Sequence, residues 1–85
     1  MKIRVSGRAK RELKRLDKWW RANRDEKDIF IGEFESMARV IREKPNLGRP
    51  YYGASQDEVL RVLMATTRYH IYYAVNDDEV VILSV

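Results

Sequence analysis

Arg61, His70 and Tyr72 are the residues of this chain whose types could share a reaction. A guanidinium can stabilise a charged phosphate while a histidine or tyrosine moves a proton, which is what acid–base cleavage of RNA requires. The same side chains also hold phosphates and stack on bases without reacting. An Arg, a His and a Tyr meet on many open sheet faces, and a lone strand histidine is more often a surface or core residue than a catalyst. Other chemistry is easier to exclude. The four glycines are scattered, so there is no phosphate-cradling loop. One histidine and no cysteine argue against a zinc site, and no disulfide can form. Ser6, Ser36, Ser55 and Ser84 lack a nucleophile-elbow context. No metal, cofactor or small-molecule substrate is therefore expected.

The elements that must position these residues can be read from periodicity. Lys2 to Ser6 alternates polar and apolar, a half-buried strand pattern, with Ser6 a plausible helix N-cap. From Gly7 to about Asn23, the apolar Ala9, Leu13, Leu16 and Trp20 recur every three or four positions and form one helical face. Trp19 falls about 100° from Trp20 and belongs at the margin of that stripe or outside it. Asp25 is a candidate N-cap for a second helix running to about Lys44, with Phe30, Phe34, Met37 and Ile41 as its stripe. Ile29 and Val40 lie on a different side, either wrapping the core margin or awaiting a partner. Helices joined so briefly should form an antiparallel hairpin.

Pro45 ends the second helix, and Asn46 to Gly53 reads as a loop rich in turn formers. Three short β-branched and aromatic stretches follow, 59–65, 69–75 and 80–85, separated by Thr66-Thr67-Arg68 and Asn76-Asp77-Asp78. Asp77-Asp78-Glu79 is expected to solvate a turn. The order is β-α-α-β-β-β. It predicts an α+β fold with the helical hairpin on one face of a small, mainly antiparallel sheet, in one domain spanning 1–85. Parity then sorts the strands. Ile3, Val5, Leu60, Val62, Met64, Ile71, Tyr73 and Val75 should face the helices. Lys2, Arg4, Arg61, His70 and Tyr72 should face away, together with the apolar Val59 and Leu63.

The net charge of +4 conceals a strong asymmetry. Residues 1–24 carry ten Lys or Arg and two acids, a balance of +8; residues 25–85 carry seven and eleven, a balance of −4. A one-sided basic helix suits nucleic acid or an acidic protein, or it serves only as a solvated face. No apolar run is long enough to span a membrane, and the N-terminus lacks a secretory apolar core, so a cytoplasmic protein is expected.

In order and spacing, the chain resembles the RelE/ParE superfamily of type II toxins, closer to the ParE branch. The features are a short first strand, then Ser6-x-x-Ala9-x-x-x-Leu13, then a second helix ending in Glu43-Lys44-Pro45-Asn46-Leu47-Gly48. Arg61-Val62-Leu63, the run from Arg68 to Val75 and a final strand from Val80 to Val85 complete it. The resemblance implies a bacterial toxin neutralised by a cognate ParD-like antitoxin. ParE-like members poison DNA gyrase by protein binding and have no catalytic residues of their own. RelE-like members cut mRNA on the ribosome; here Arg61 matches the family's strand arginine, with His70 or Tyr72 as its partner. Arg68, Tyr69 and Tyr73 fit recurrent positions where packing is the expected role. Relatives usually continue into a tail bearing His and Arg, whereas this sequence stops at Val85. A disarmed toxin that still binds antitoxin is therefore a third expectation. The partner-binding candidates are Trp19, Arg15 and Arg11 on the basic helix for gyrase, and Ile29, Val40 and Leu63 for the antitoxin.

Overall fold

The computed structural model describes residues 1–51 and 58–85. In chain order the elements are β1 (Lys2–Val5), α1 (Gly7–Asn23), α2 (Ile29–Glu43), a 3-10 turn at Pro45–Leu47, β2 (Arg49–Tyr51), β3 (Val59–Leu63), β4 (His70–Val75) and β5 (Glu79–Ser84). The sheet order is β1-β5-β4-β3-β2, with β1 parallel to β5 and all other pairs antiparallel. The two helices cover one face of this five-stranded sheet, the expected α+β architecture with one strand more than expected.

Ser6 fixes the first junction. Its hydroxyl oxygen accepts the Ala9 N–H at 3.1 Å and its O–H donates to the Leu83 carbonyl at 3.1 Å. One side chain thus caps α1 and ties its start to β5. Ala9 is fully buried beneath the helix, and Leu13, Leu16 and Trp20 continue the packed stripe. On α2, Phe30, Phe34 and Ile41 are buried against Leu60, Met64, Ile71, Tyr73, Val80 and Ile82. The inward parity of β3 and β4 matches the sequence pattern, with Val62 and Val75 packed at the margin.

Three local expectations are corrected. Asp25 does not cap α2: the helix begins at Ile29, with Asp28 at the cap position and no side-chain capping bond. The Asp28 carboxylate instead forms an exposed ion pair with Arg21 of α1 at 2.7 Å, across the hairpin rather than at the helix end. Residues 49–51 are not loop but an edge strand paired with β3. Pro50 lies within it, tolerated because an edge strand can spare an N–H. Tyr52 and Gly53 of the expected loop lie outside the described residues. Glu79 is no turn residue; it opens β5, sits opposite Lys2 and pairs with Arg4 at 3.2 Å.

The β3–β4 turn is fastened to α2 by Glu33. Its carboxylate accepts the Thr66 N–H at 2.8 Å, the Thr67 N–H at 2.9 Å and the Thr67 hydroxyl at 2.6 Å. Partial burial pushes the Glu33 carboxyl up, but the bonds from Thr67 and Thr66 outweigh it and hold the group below its ordinary range. A carboxylate with a depressed folded-state pKa stabilises the fold above its unfolded value and loses that contribution as pH falls through the folded value. The stability difference between wild type and Glu33→Gln should therefore be largest near neutrality and shrink below about pH 4.3, as read by urea denaturation at a series of pH values. A difference that stays constant with pH would rule out the clamp as an ionised group.

Candidate functional site

The face of the sheet opposite the helices carries a row of side chains across three strands. Arg49 of β2 stands opposite Arg61 of β3, and Arg61 opposite Tyr72 of β4. In the neighbouring registers Tyr51 faces Val59, and Leu63 faces His70. The Arg61 guanidinium lies 5.3 Å from the centre of the Tyr51 ring. Tyr51 meets Tyr72 edge-on at 5.1 Å, and His70 lies 6.2 Å from Tyr72. Beside them is a shallow pocket of about 210 Å³ lined by Leu47, Arg49, Arg61, Val62, Leu63 and His70. The three residues expected to share chemistry are thus brought together. Lys2 and Arg4, expected on the same face, lie at its far end on β1, with Arg4 engaged by Glu79.

Arg49 is the member that sequence reasoning missed. Reading residues 46–53 as loop removed the parity argument that places Arg49 and Tyr51 on the Arg61 face. The signal was the Arg-x-Tyr spacing of 49 and 51, hidden by the intervening proline. Two arginines directly opposite in a ladder repel. Among the described residues, neither makes an ion pair with a carboxylate. This end of the face can hold an anion between two guanidiniums, flanked by tyrosines and two exposed leucines.

Tyr73, on the opposite face of β4, sets that geometry. Its ring is fully buried. Its hydroxyl donates to the Pro45 carbonyl at 2.8 Å and accepts the Gly48 N–H at 2.7 Å. Burial pushes the phenol above its ordinary pKa, only partly offset by the Gly48 N–H, so it stays protonated and can donate. A Cβ on Gly48 would stand 2.7 Å from this oxygen and 3.1 Å from the Arg61 carbonyl. Glycine is needed there for close approach. The contact delivers the chain into β2 with Arg49 in register with Arg61.

A second cationic surface lies on α1. Arg11, Arg15 and their basic neighbours are exposed. Trp19 is 45% exposed, so it is available as a contact. It also packs edge-on to Trp20 at 5.7 Å, with the Arg24 guanidinium within 5.5 Å of both rings. Trp20 belongs to the core margin, stacking on Phe30 and donating its indole N–H to the Tyr69 hydroxyl at 3.2 Å. Tyr69 and Tyr73 thus pack and bond internally, and Arg68 occupies the left-handed conformation, φ 71°, that closes the β3–β4 turn. The proposed antitoxin contacts divide. Ile29 and Val40 share one side of α2, half-buried and 40% exposed respectively, whereas Leu63 lies on the open sheet face.

The family model described as ParE toxin of type II toxin-antitoxin system, parDE, matches residues 3–85. The chain belongs to the ParE toxin family. It is thereby a toxin of a type II toxin-antitoxin system, within the RelE/ParE superfamily that its strand and helix order resembles. Neither the curated proteins nor the solved structures contain a match to it. Among the described residues no helix is long and apolar enough to cross a membrane, and no acidic, histidine or cysteine side chains cluster as a metal site would require.

Removing the Tyr73 hydroxyl leaves the Gly48 N–H and the Pro45 carbonyl without their partner. Tyr73→Phe in this ParE toxin should cost roughly 1–3 kcal/mol in urea unfolding and shift the backbone amide signals of residues 48–51 in NMR spectra. Gly48→Ala should move the same signals. Spectra unchanged at 48–51 would refute the positioning of β2 by Tyr73.

Proposed function

We propose that this ParE toxin acts by binding DNA gyrase through the exposed face of α1, and that a ParD-like antitoxin neutralises it. The family match carries the reading, and the basic face of α1 supplies the contact surface. Arg11 and Arg15 present unburied guanidiniums beside a half-exposed tryptophan, and Arg and Trp are typical interface anchors. Such an inhibitor needs no reacting group. It needs a rigid, charged surface, and α1 is held rigid by the Ser6 cap and the core stripe beneath it. For the antitoxin, Ile29 and Val40 are two apolar contacts on one side of α2, and Leu63 is a separate contact on the open sheet face. The cell interior is the expected location for both partners.

A ribosome-dependent ribonuclease is the second reading, favoured by one observation: Arg61 shares its face with Arg49, Tyr72 and His70. In that reading the paired arginines hold the phosphate, and Tyr72 or His70 moves the proton.

The readings separate in induced bacteria followed by pulse labelling of DNA and protein synthesis. The expected result is that DNA synthesis fails first. Arg11→Glu with Arg15→Glu should relieve that arrest, while Arg61→Ala should leave it in place. Early failure of translation, abolished by Arg61→Ala, would replace the gyrase reading with the ribonuclease one. Normal growth under full expression would mark the chain as a disarmed toxin.

A further inference from the structure

Each carboxylate on α1 is turned to a partner of its own. Glu12 accepts the Ser84 hydroxyl at 2.9 Å and lies 3.7 Å from Arg8; Asp17 takes Arg21 at 3.1 Å. On the side of the helix that these two acids flank runs a strip of five exposed cations, Lys10, Arg11, Lys14, Arg15 and Lys18, none of which forms an ion pair among the described residues. Their spacing of three and four places them on one side of the helix, opposite Ala9, Leu13, Leu16 and Trp20. Lys10, Lys14 and Lys18 are successive i, i+4 neighbours, as are Arg11 and Arg15. Like charges at that spacing destabilise a helix. The first turn also lacks an acid and carries Arg8 and Lys10 against the positive end of the helix dipole. The helix thus keeps a charge pattern that weakens it in isolation and that a polyanion would relieve.

We propose that this strip binds the phosphate backbone of duplex DNA, with α1 lying along the major groove. On the lysine side of the strip, away from Trp19, an acidic protein surface is the weaker fit. Protein interfaces are organised around apolar and aromatic anchors. The strip holds no large apolar residue, and Trp19 stands at its margin beneath Arg24. Nucleic-acid interfaces are instead strongly cationic. The helix with side chains is about 10–12 Å across, matching a B-form major groove about 12 Å wide. A-form RNA offers a deep, narrow groove that would not admit it. From Lys10 to Lys18 the helix rises about 12 Å, a length along which duplex DNA presents about seven charges. Phosphate contacts carry no sequence information, so the binding is sequence-independent. The proposal uses the same face as the gyrase reading and names DNA, gyrase's own substrate, as what that face touches.

The test is fluorescence anisotropy of the full chain with a labelled 20-base-pair duplex of mixed sequence, across a salt series. Binding at 50 mM salt is expected, with a slope of log K against log salt between about −3 and −4.5, for three to five phosphates neutralised. Lys14→Glu with Arg15→Glu should weaken binding at least about tenfold and flatten the slope by about two units. The same variant should unfold at equal or higher urea concentration, because it removes like-charge neighbours; this separates lost contact from lost fold. The equivalent charge change on α2, Arg39→Glu with Arg42→Glu, should alter affinity less than about threefold. Absence of binding at 50 mM salt overturns the proposal. So does equal loss from the α2 variant, or competition by polyglutamate as effective as unlabelled duplex at matched charge, which would assign the strip to an acidic protein. Duplex binding that fails while the induced arrest of DNA synthesis persists removes this proposal and leaves the gyrase reading. Binding without arrest does the reverse.

Discussion

A phenol buried in the core decides where the arginine-bearing face of the sheet can form. Tyr73 occupies a β4 position that parity assigns to the helix-covered side, yet its hydroxyl must find partners there, because an unpaired polar group in an apolar interior is costly. It finds them in the Pro45 carbonyl and the Gly48 N–H, the two backbone groups that end the helical half of the chain and open β2. The bond therefore couples three levels. It satisfies the core, it folds the connection against the sheet, and it sets the register in which Arg49 meets Arg61. Gly48 completes the constraint, since any side chain there would collide with the same oxygen.

The helical hairpin and the central strands were legible in sequence because each rests on a repeated pattern summed over many residues. Leu13, Leu16 and Trp20 fix the α1 stripe whatever happens at its ends, and the alternation through Ile71, Tyr73 and Val75 fixes the β4 faces. What was not legible depends on single partners distant in sequence. Asp25 reads as a cap by composition, but α2 begins later, with Asp28 at the cap position and its carboxylate turned to Arg21 of the preceding helix. Residues 49–51 are too short and too proline-marked to announce a strand, and only pairing with β3 makes them one. Arg49 was hidden for the same reason, whereas Arg61, inside a β-branched run long enough to read as a strand, was found.

The two cationic surfaces of this ParE toxin are built on different physical bases. On the sheet, Arg61 is braced by Tyr51, and the arginine pair is imposed by strand register; the charges are placed by tertiary structure and would disperse without it. On α1, the cations are placed by local periodicity alone, Asp17 is occupied by Arg21 one turn along the same helix, and tertiary structure contributes only the removal of Glu12 from the strip. Glu12 is drawn to the end of β5 by Ser84 and the Val85 N–H, and Asp17 to Arg21.

That difference bears on how a small chain tolerates so much like charge. Net self-repulsion weakens a compact state, and a short domain has little stability to spare. In α1 the cost is met from below, by Ala9, Leu13, Leu16 and Trp20 packed on the sheet, and at the start by Ser6. A helix held by its buried side need not be stabilised by its exposed one, so the outer face is free to carry a composition that no isolated helix would hold. The same separation leaves the open sheet face largely unburdened by the core, which lies on the helix side apart from Val81 of β5. The two cationic surfaces are thus the ones that packing does not use, and substitutions there should change stability little.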